Sequence, residues 1–255
     1  VPEGLEVEWY RRAAEAVVGR RIRGVQVDER NAVGPVAVAL RRRRVTAVDR
    51  VGKLLLLVTD GPVLGIHFGM TGRIVVDGVA PIESLEYGSG RDDPAWDRLV
   101  LTFEGRAGGS LRVNDPRRWS RYVLDPDPSS LGPDAERVTA DELARRLRRG
   151  RPLKALLLDQ AVVAGLGNMC VDEVLFHAGL APDRPGRSLS DPEVPRLVTA
   201  VRTHLPAMFE RGGSHTGVLS PEVRATLPAC PLDGEPLHRT VVRGRTTIWC
   251  PAHQR

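Results

Sequence analysis

The chain has 255 residues, 27% charged and 42% hydrophobic, which excludes a largely disordered protein and suits one large or two medium domains. Lys and Arg total 37 against 32 Asp and Glu, a formal net charge of +5 that fits either a polyanionic partner or simply an arginine-rich surface. Three cysteines cannot build a disulfide framework, no apolar run approaches the roughly 18 residues of a membrane helix, and acids at Glu3, Glu6 and Glu8 do not read as a secretory signal, so the chain is expected to be soluble and cytoplasmic.

In chain order, a helix is predicted over 5–18, with Val7, Tyr10, Ala14 and Val17 on one face and Gly19 as its stop. Short strand-like runs follow at 22–27, 36–40, 44–48, 54–58, 63–67, 74–76, 99–103 and 110–113, punctuated by Gly, Asp and Pro as in a β-sandwich or flattened barrel. Asp125-Pro126-Asp127-Pro128-Ser129-Ser130 reads as a linker. The period then turns helical. Thr139 and Glu142 have capping-box spacing ahead of a helix ended by Gly150, and further helices are expected over 153–159, from Asn168 to Gly179, and over 193–209. The tail reads as a β-hairpin.

Only two of the 37 basic residues are lysines, Lys53 and Lys154. A lysine offers a compact, rotatable point charge where arginine presents a planar fork, so two positions that keep an ammonium in this chain are candidates for close contacts. The tail carries Cys230, Asp233, Cys250 and His253 in the pattern C-x2-D-x16-C-x2-H. Two such knuckles on the ends of a hairpin can converge four ligands on one structural zinc ion, with His238 a competitor for the fourth place and a metal-free hairpin the plainer alternative. Between them Val242-Arg243-Gly244-Arg245 puts arginines on a tight turn, suited to a phosphate or to solvent. Gly165 and Gly167 precede a helix opening at Asn168, whose free N–H groups favour an anion, and Lys154 lies one helix upstream.

Together these segments resemble the formamidopyrimidine-DNA glycosylase and endonuclease VIII family. The likeness runs through Pro2-Glu3-Gly4-Leu5-Glu6, Gly52-Lys53, His67-Phe68-Gly69-Met70-Thr71-Gly72, Asp115-Pro116-Arg117-Arg118-Trp119, Gly165-Leu166-Gly167-Asn168 and the Arg245 hairpin. It implies an α+β multidomain protein: an N-terminal β-sandwich with a leading helix over 1–124, a linker over 125–137, a helical helix-two-turn-helix domain over 138–225, and a zinc-ribbon-like hairpin over 226–255. It further implies a bifunctional DNA glycosylase and AP lyase that excises oxidised or alkylated bases from double-stranded DNA, with the alternative of a damage-binding protein that has lost catalysis; a monomer is the default expectation.

By the same resemblance, the Pro2 amine attacks the sugar C1′ and forms a Schiff base, Glu3 is the general acid, Lys53 holds phosphate or aids proton transfer, and Glu6 supports them. Met70, Arg117 and Trp119 form the wedge that replaces a flipped nucleotide; Lys154, Gly167, Asn168 and Arg245 grip phosphates, Arg245 being counted with the catalytic set. His67 and Arg118 join the DNA-binding residues. Simpler readings remain beside these: Met70 and Trp119 as core, Glu3 and Glu6 as first-turn acids favoured by the helix dipole, Lys53 as a solvated edge residue. Trp119 stands where the family has phenylalanine, Met169-Cys170 where it has Ile-Tyr, and Asp233 and His253 where it has cysteines; the histidine expected near Asp93–Asp97 is missing, and the segment around Gly213 is short, which leaves the preferred lesion open. Val1 precedes Pro2 and makes its nitrogen an amide, so the expectation is that Val1 is an alternative start residue removed to expose the amine.

Overall fold

The computed structural model describes residues 2–82, 85, 90–105 and 108–255, so Val1 lies outside the described residues. The chain divides into two compact units, Val1–Pro128 and Ser129–Arg255.

In the first unit Glu3 occupies the N-cap of helix α1 (Gly4–Ala14) in an extended conformation, and a 3-10 turn continues the helix to Val17. Val7, Tyr10, Ala14 and Val17 are all buried, as the periodicity requires. Strands β1 (Ile22–Val27) and β2 (Ala32–Val33) come next, then helix α2 (Val36–Leu40), then β3 (Val45–Val51), β4 (Leu54–Thr59), β5 (Leu64–His67), β6 (Arg73–Val76), β7 (Asp97–Phe103), β8 (Ser110–Asn114) and β9 (Arg121–Leu124). They form two sheets, ordered β1-β7-β8-β6 and β2-β9-β5-β4-β3, whose inner side chains share one core with α1. Every pairing is antiparallel except β2 with β9.

The strand expected over 36–40 is instead α2. Val36 and Leu40, four residues apart, are the buried pair, while Val38 is 79% exposed, so the segment uses the helical period and not the alternation that Val-Ala-Val-Ala-Leu also permits. Gly34, at φ 82°, and Pro35 turn the chain into it.

The second unit holds α3 (Ala140–Leu147), α4 (Leu153–Leu157), α5 (Asn168–Ala178), α6 (Glu193–Glu210), α7 (Pro221–Thr226) and the hairpin β10 (His238–Val242) with β11 (Arg245–Trp249). The Thr139 hydroxyl accepts the Glu142 N–H and caps α3, which stops at Leu147, ahead of the expected Gly150. Helix α4 ends two residues before the expected Asp159. The segment linking it to α5 is clipped by Gln160: its side chain accepts the Gly165 N–H at 3.0 Å and donates to the carbonyls of Leu158 and Leu166 at 2.9 and 3.0 Å. Among the described residues no helix is long and apolar enough to cross a membrane.

The start of α6 is pinned electrostatically. Arg184 meets both Glu193 carboxylate oxygens, at 2.6 and 2.7 Å, and the Ser190 N–H adds a third bond at 2.7 Å. These bonds, the Arg184 guanidinium first, pull the Glu193 carboxyl from its ordinary 4.5 down to about 2. The folded pKa lies below the unfolded one, so this stabilisation is complete above about pH 4.5 and is lost as the pH falls towards about 2. Glu193→Gln should lower Tm at neutral pH and flatten its decline between about pH 5 and about pH 3. Parallel melting curves for the two proteins would assign the acid sensitivity elsewhere.

Candidate active site and metal centre

At the head of the first unit Pro2 is buried, as are Glu3 and Glu6, at 1% and 2% exposure. The two glutamates form a reciprocal capping box. The Glu3 N–H donates to Glu6 Oε2 at 2.8 Å, while the Glu3 carboxylate accepts the Glu6 N–H. They are thus first-turn acids that also lock the residue after Pro2 in place. Helix α1 is tied to the turn that carries Lys53: Glu8 on α1 accepts from Arg50 on β3 at 3.3 Å, and Arg50 Nη1 donates to the Gly52 carbonyl at 2.8 Å. Gly52 supplies the positive φ, 58°, that the first central position of this two-residue hairpin turn needs, leaving Lys53 partly exposed.

Leu54 pairs with His67 across β4 and β5, which brings the imidazole beside that turn. His67 Nδ1 accepts the Gly69 N–H at 3.1 Å, which leaves the proton on Nε2. Desolvation, then the charges of Lys53 and Arg121, lower its pKa and favour this neutral form. The next turn presents Met70, half-buried. Gly69, at φ 63°, lies so close to Trp119 that an added Cβ would sit 2.6 Å from the Trp119 carbonyl carbon. The Met70 turn and the Arg117–Arg118–Trp119 loop are therefore interlocked.

Their common anchor is Asp115, fully buried. One carboxylate oxygen accepts the Thr71 hydroxyl at 2.5 Å and the Arg117 N–H at 3.2 Å; the other accepts the N–H groups of Trp119 and Ser120 at 2.6 and 2.8 Å. Asn31 holds the loop from the far side through the carbonyls of Arg118 and Ser120. So fastened, Trp119 stands 49% exposed with the Arg117 guanidinium 5.8 Å from its ring, so it is no core residue. Arg118 is exposed and meets Asp28 at 3.5 Å. Asp115 was legible only as part of a motif, and Asn31 gave no signal, since its partners are carbonyls of a segment some ninety residues away.

In the second unit the expected phosphate residues divide. Arg245 is exposed at the start of β11, and it lines one open recess with Arg243, Arg151 and Asp159. Gly167 is the extended N-cap of α5 and offers no side chain to that helix's first N–H groups. Asn168 gives its side-chain N–H to the Thr246 carbonyl at 3.1 Å. Lys154 departs from expectation. It is 0% exposed, and its ammonium donates to Asp172 Oδ1 at 2.6 Å and to the Thr246 carbonyl at 2.9 Å, so it faces the interior and not the surface. Burial pushes the Asp172 carboxyl up, opposed by Lys154 and by Arg224, whose guanidinium is 2.8 Å away.

Sequence reasoning missed Asp172 and its neighbour Glu173, which accepts the Val218 and Leu219 N–H groups at 2.7 and 2.9 Å. Two adjacent acids inside an otherwise apolar helix were the available signal.

The tail residues Cys230, Asp233, Cys250 and His253 come together, with their donor atoms all within 4.8 Å of one another. His253 Nε2 lies 3.1 Å from the Phe176 carbonyl, an acceptor that places the ring proton there and turns Nδ1 towards the cluster. Hydrogen bonds, the Glu235 N–H first, hold the Asp233 carboxyl at about 2, ionised and ready to bind a cation. His238 stands outside the group, exposed on β10 with its ring against Trp249, and is no competing ligand.

Residues 1–122 match the family model for the formamidopyrimidine-DNA glycosylase N-terminal domain, and residues 126–220 match that for the formamidopyrimidine-DNA glycosylase H2TH domain. Over 283 residues the chain is 37% identical to the formamidopyrimidine-DNA glycosylase of Thermus thermophilus, covering 100% of this chain and 98% of the relative. The enzyme of that name from Rhodospirillum rubrum is 35% identical over 291 residues, with both proteins fully covered. The crystal structure of the MutM (Fpg) protein from Thermus thermophilus superposes with a TM-score of 0.80 at 33% identity, over 99% of this chain and 98% of that one. A complex of wild-type Lactococcus lactis Fpg (MutM) with DNA containing N7-benzyl-Fapy-dG gives a TM-score of 0.82 at 26% identity over the whole of both chains. With two family models in tandem and relatives matched end to end, the chain belongs to the formamidopyrimidine-DNA glycosylase family.

Proposed function

We propose that the chain is a bifunctional DNA glycosylase and AP lyase that removes damaged bases from duplex DNA. The observation that carries this reading is the head of α1: Pro2 is buried beside a carboxylate pair that fixes the following residue, on a helix tied through Glu8 and Arg50 to the Lys53 turn. An α-amino group has a pKa near ~7.7–8, so a free Pro2 amine is partly neutral at pH 7, whereas an unperturbed lysine near ~10.4 is almost wholly protonated. The neutral amine attacks C1′ of the damaged nucleotide, with Glu3 protonating the sugar side as the base departs. The resulting Schiff base acidifies the C2′ proton, whose loss breaks the C3′–O bond and expels the 3′-phosphate, which cuts the strand. The exposed Trp119 with Arg117, and Met70 on the interlocked turn, supply a wedge for the gap that a flipped nucleotide leaves. The chemistry requires that Val1 be absent from the working protein.

Borohydride trapping on duplex DNA with one abasic site tests this with protein whose first residue is Pro2. The expected result is a covalent adduct mapping to Pro2, lost when Val1 is retained. DNA binding without any adduct would replace this reading by that of a damage-binding protein.

We further propose that the tail cluster holds one structural zinc ion. Tetrahedral zinc with bonds of about 2.3 Å to sulfur and about 2.0–2.1 Å to nitrogen or oxygen needs edges of about 3.6 Å between sulfur and a lighter donor, and about 3.3 Å between two lighter donors. Three of the six spacings come within about 0.4 Å of these edges: 3.5 Å from Cys230 Sγ to His253 Nδ1, 3.2 Å from Cys250 Sγ to the nearer Asp233 oxygen, and 3.3 Å from that oxygen to His253 Nδ1. Cys230, Asp233, Cys250 and His253 would hold the ion, which supplies cross-linking and no step of the reaction. Elemental analysis should find about one zinc per chain, and chelation should lower Tm and release the hairpin. A metal-free protein that melts identically with and without chelator would reduce the cluster to a hydrogen-bonded knot.

A further inference from the structure

The hairpin that carries Arg243 and Arg245 has an open edge. Its two-residue turn, Arg243-Gly244, has φ of 49° and 76°, the doubly positive pattern of a type I′ turn. In such a hairpin Val242 and Arg245 exchange the first pair of ladder bonds, and bonded pairs then recur at every second residue. Thr246 and Ile248 therefore fall between bonded pairs, with their N–H and C=O groups turned away from β10. A two-stranded hairpin is marginal alone, and an unmet edge weakens it further.

Side chains of the helical region cover that edge. The Thr246 carbonyl accepts from Lys154 Nζ at 2.9 Å and from Asn168 Nδ2 at 3.1 Å. The Ile248 N–H donates to Asp172 Oδ2 at 3.2 Å. Asn168 and Asp172, four residues apart on α5, share one helix face and so reach successive groups of the strand. Asp172 stands at the centre, because it also takes Lys154 at 2.6 Å and Arg224 of α7 at 2.8 Å. Lys154 and Asp172 are both 0% exposed at their side chains, and Arg224 is 11% exposed.

We propose that Asp172 is the positioning residue for the Arg243–Arg245 tip, and that Lys154 and Arg224 act through it to hold the tip at a DNA phosphate. This rests on the proposed function, in which Arg245 is a phosphate contact. A buried ion cluster adds little net stability compared with an apolar replacement, so its value lies in the one geometry it permits. The arrangement makes the strand carbonyl and the Asp172 carboxylate, not the duplex, the object of Lys154.

A double-mutant cycle tests it, using the full chain and duplex DNA with a tetrahydrofuran abasic analogue. Arg245→Ala should weaken binding about tenfold and reduce the slope of log affinity against log salt by about one. Asp172→Asn should give a loss of similar size, with the same drop in salt slope and faster hydrogen exchange in β11. The double variant should bind no worse than Arg245→Ala alone. Because Asp172→Asn leaves Lys154 buried without its partner, Lys154→Met with Asp172→Asn is measured in parallel. This charge-depleted pair should fold, as its melting transition reports, and still show the reduced salt slope. Losses that add in the cycle, or a folded pair with the parent's slope, would overturn the inference while leaving the proposed function intact. If Arg245→Ala alone binds like the parent, the phosphate-contact reading fails and takes this inference with it.

Discussion

The interaction on which this molecule depends is the buried carboxylate that accepts backbone N–H groups. Among the described residues five acids are buried, Glu3, Glu6, Asp115, Asp172 and Glu173, and each takes at least one main-chain N–H. None is placed for apolar packing. A carboxylate taken out of water is costly unless its lone pairs are filled, and amides are the donors at hand in irregular segments. Each such bond is worth about 1.5–3 kcal/mol, and losing the acid also strands the amide. The segments so held are the start of α1, the Arg117–Trp119 loop, β11 and the 218–219 segment, most of which carry groups assigned to function. The sheets and helices supply the frame, and the buried acids determine how its loops present their side chains.

This division explains what could be read in the residue order. The strands 22–27, 54–59 and 97–103 and the helices α5 and α6 show in the apolar period, because burial on one face is a local pattern. The segment 36–40 did not, since Val-Ala-Val-Ala-Leu satisfies both periods and its tertiary neighbours chose the helical one. Site residues followed a similar rule. Cys230, Asp233, Cys250 and His253 were legible because knuckle spacing encodes their meeting. Pro2, Glu3, Lys53, Met70, Arg117 and Trp119 were singled out by short motifs. Asp115 was legible only inside its motif, and Asn31 and Asp172 were not legible, because the groups they bind, the carbonyls of Arg118 and Ser120 for Asn31 and the side chains of Lys154 and Arg224 with the Ile248 N–H for Asp172, lie far away in the sequence.

The two lysines make the point most sharply. Both stood out in a chain that otherwise uses arginine, and the physical reason was sound: a compact ammonium suits a close contact where a planar fork does not. The contacts differ. Lys53 sits partly exposed at the tip of a turn beside His67, where a rotatable charge can reach a ligand. Lys154 is enclosed, and its ammonium donates to one carboxylate and one carbonyl. A guanidinium there would bring five N–H donors into a site closed to water, and each unmet donor in the interior would count against folding. The same selection for an ammonium thus arises from opposite environments. Residue choice alone identifies a demanding position; only the acceptors around it separate a charge left at the surface from one enclosed in the fold.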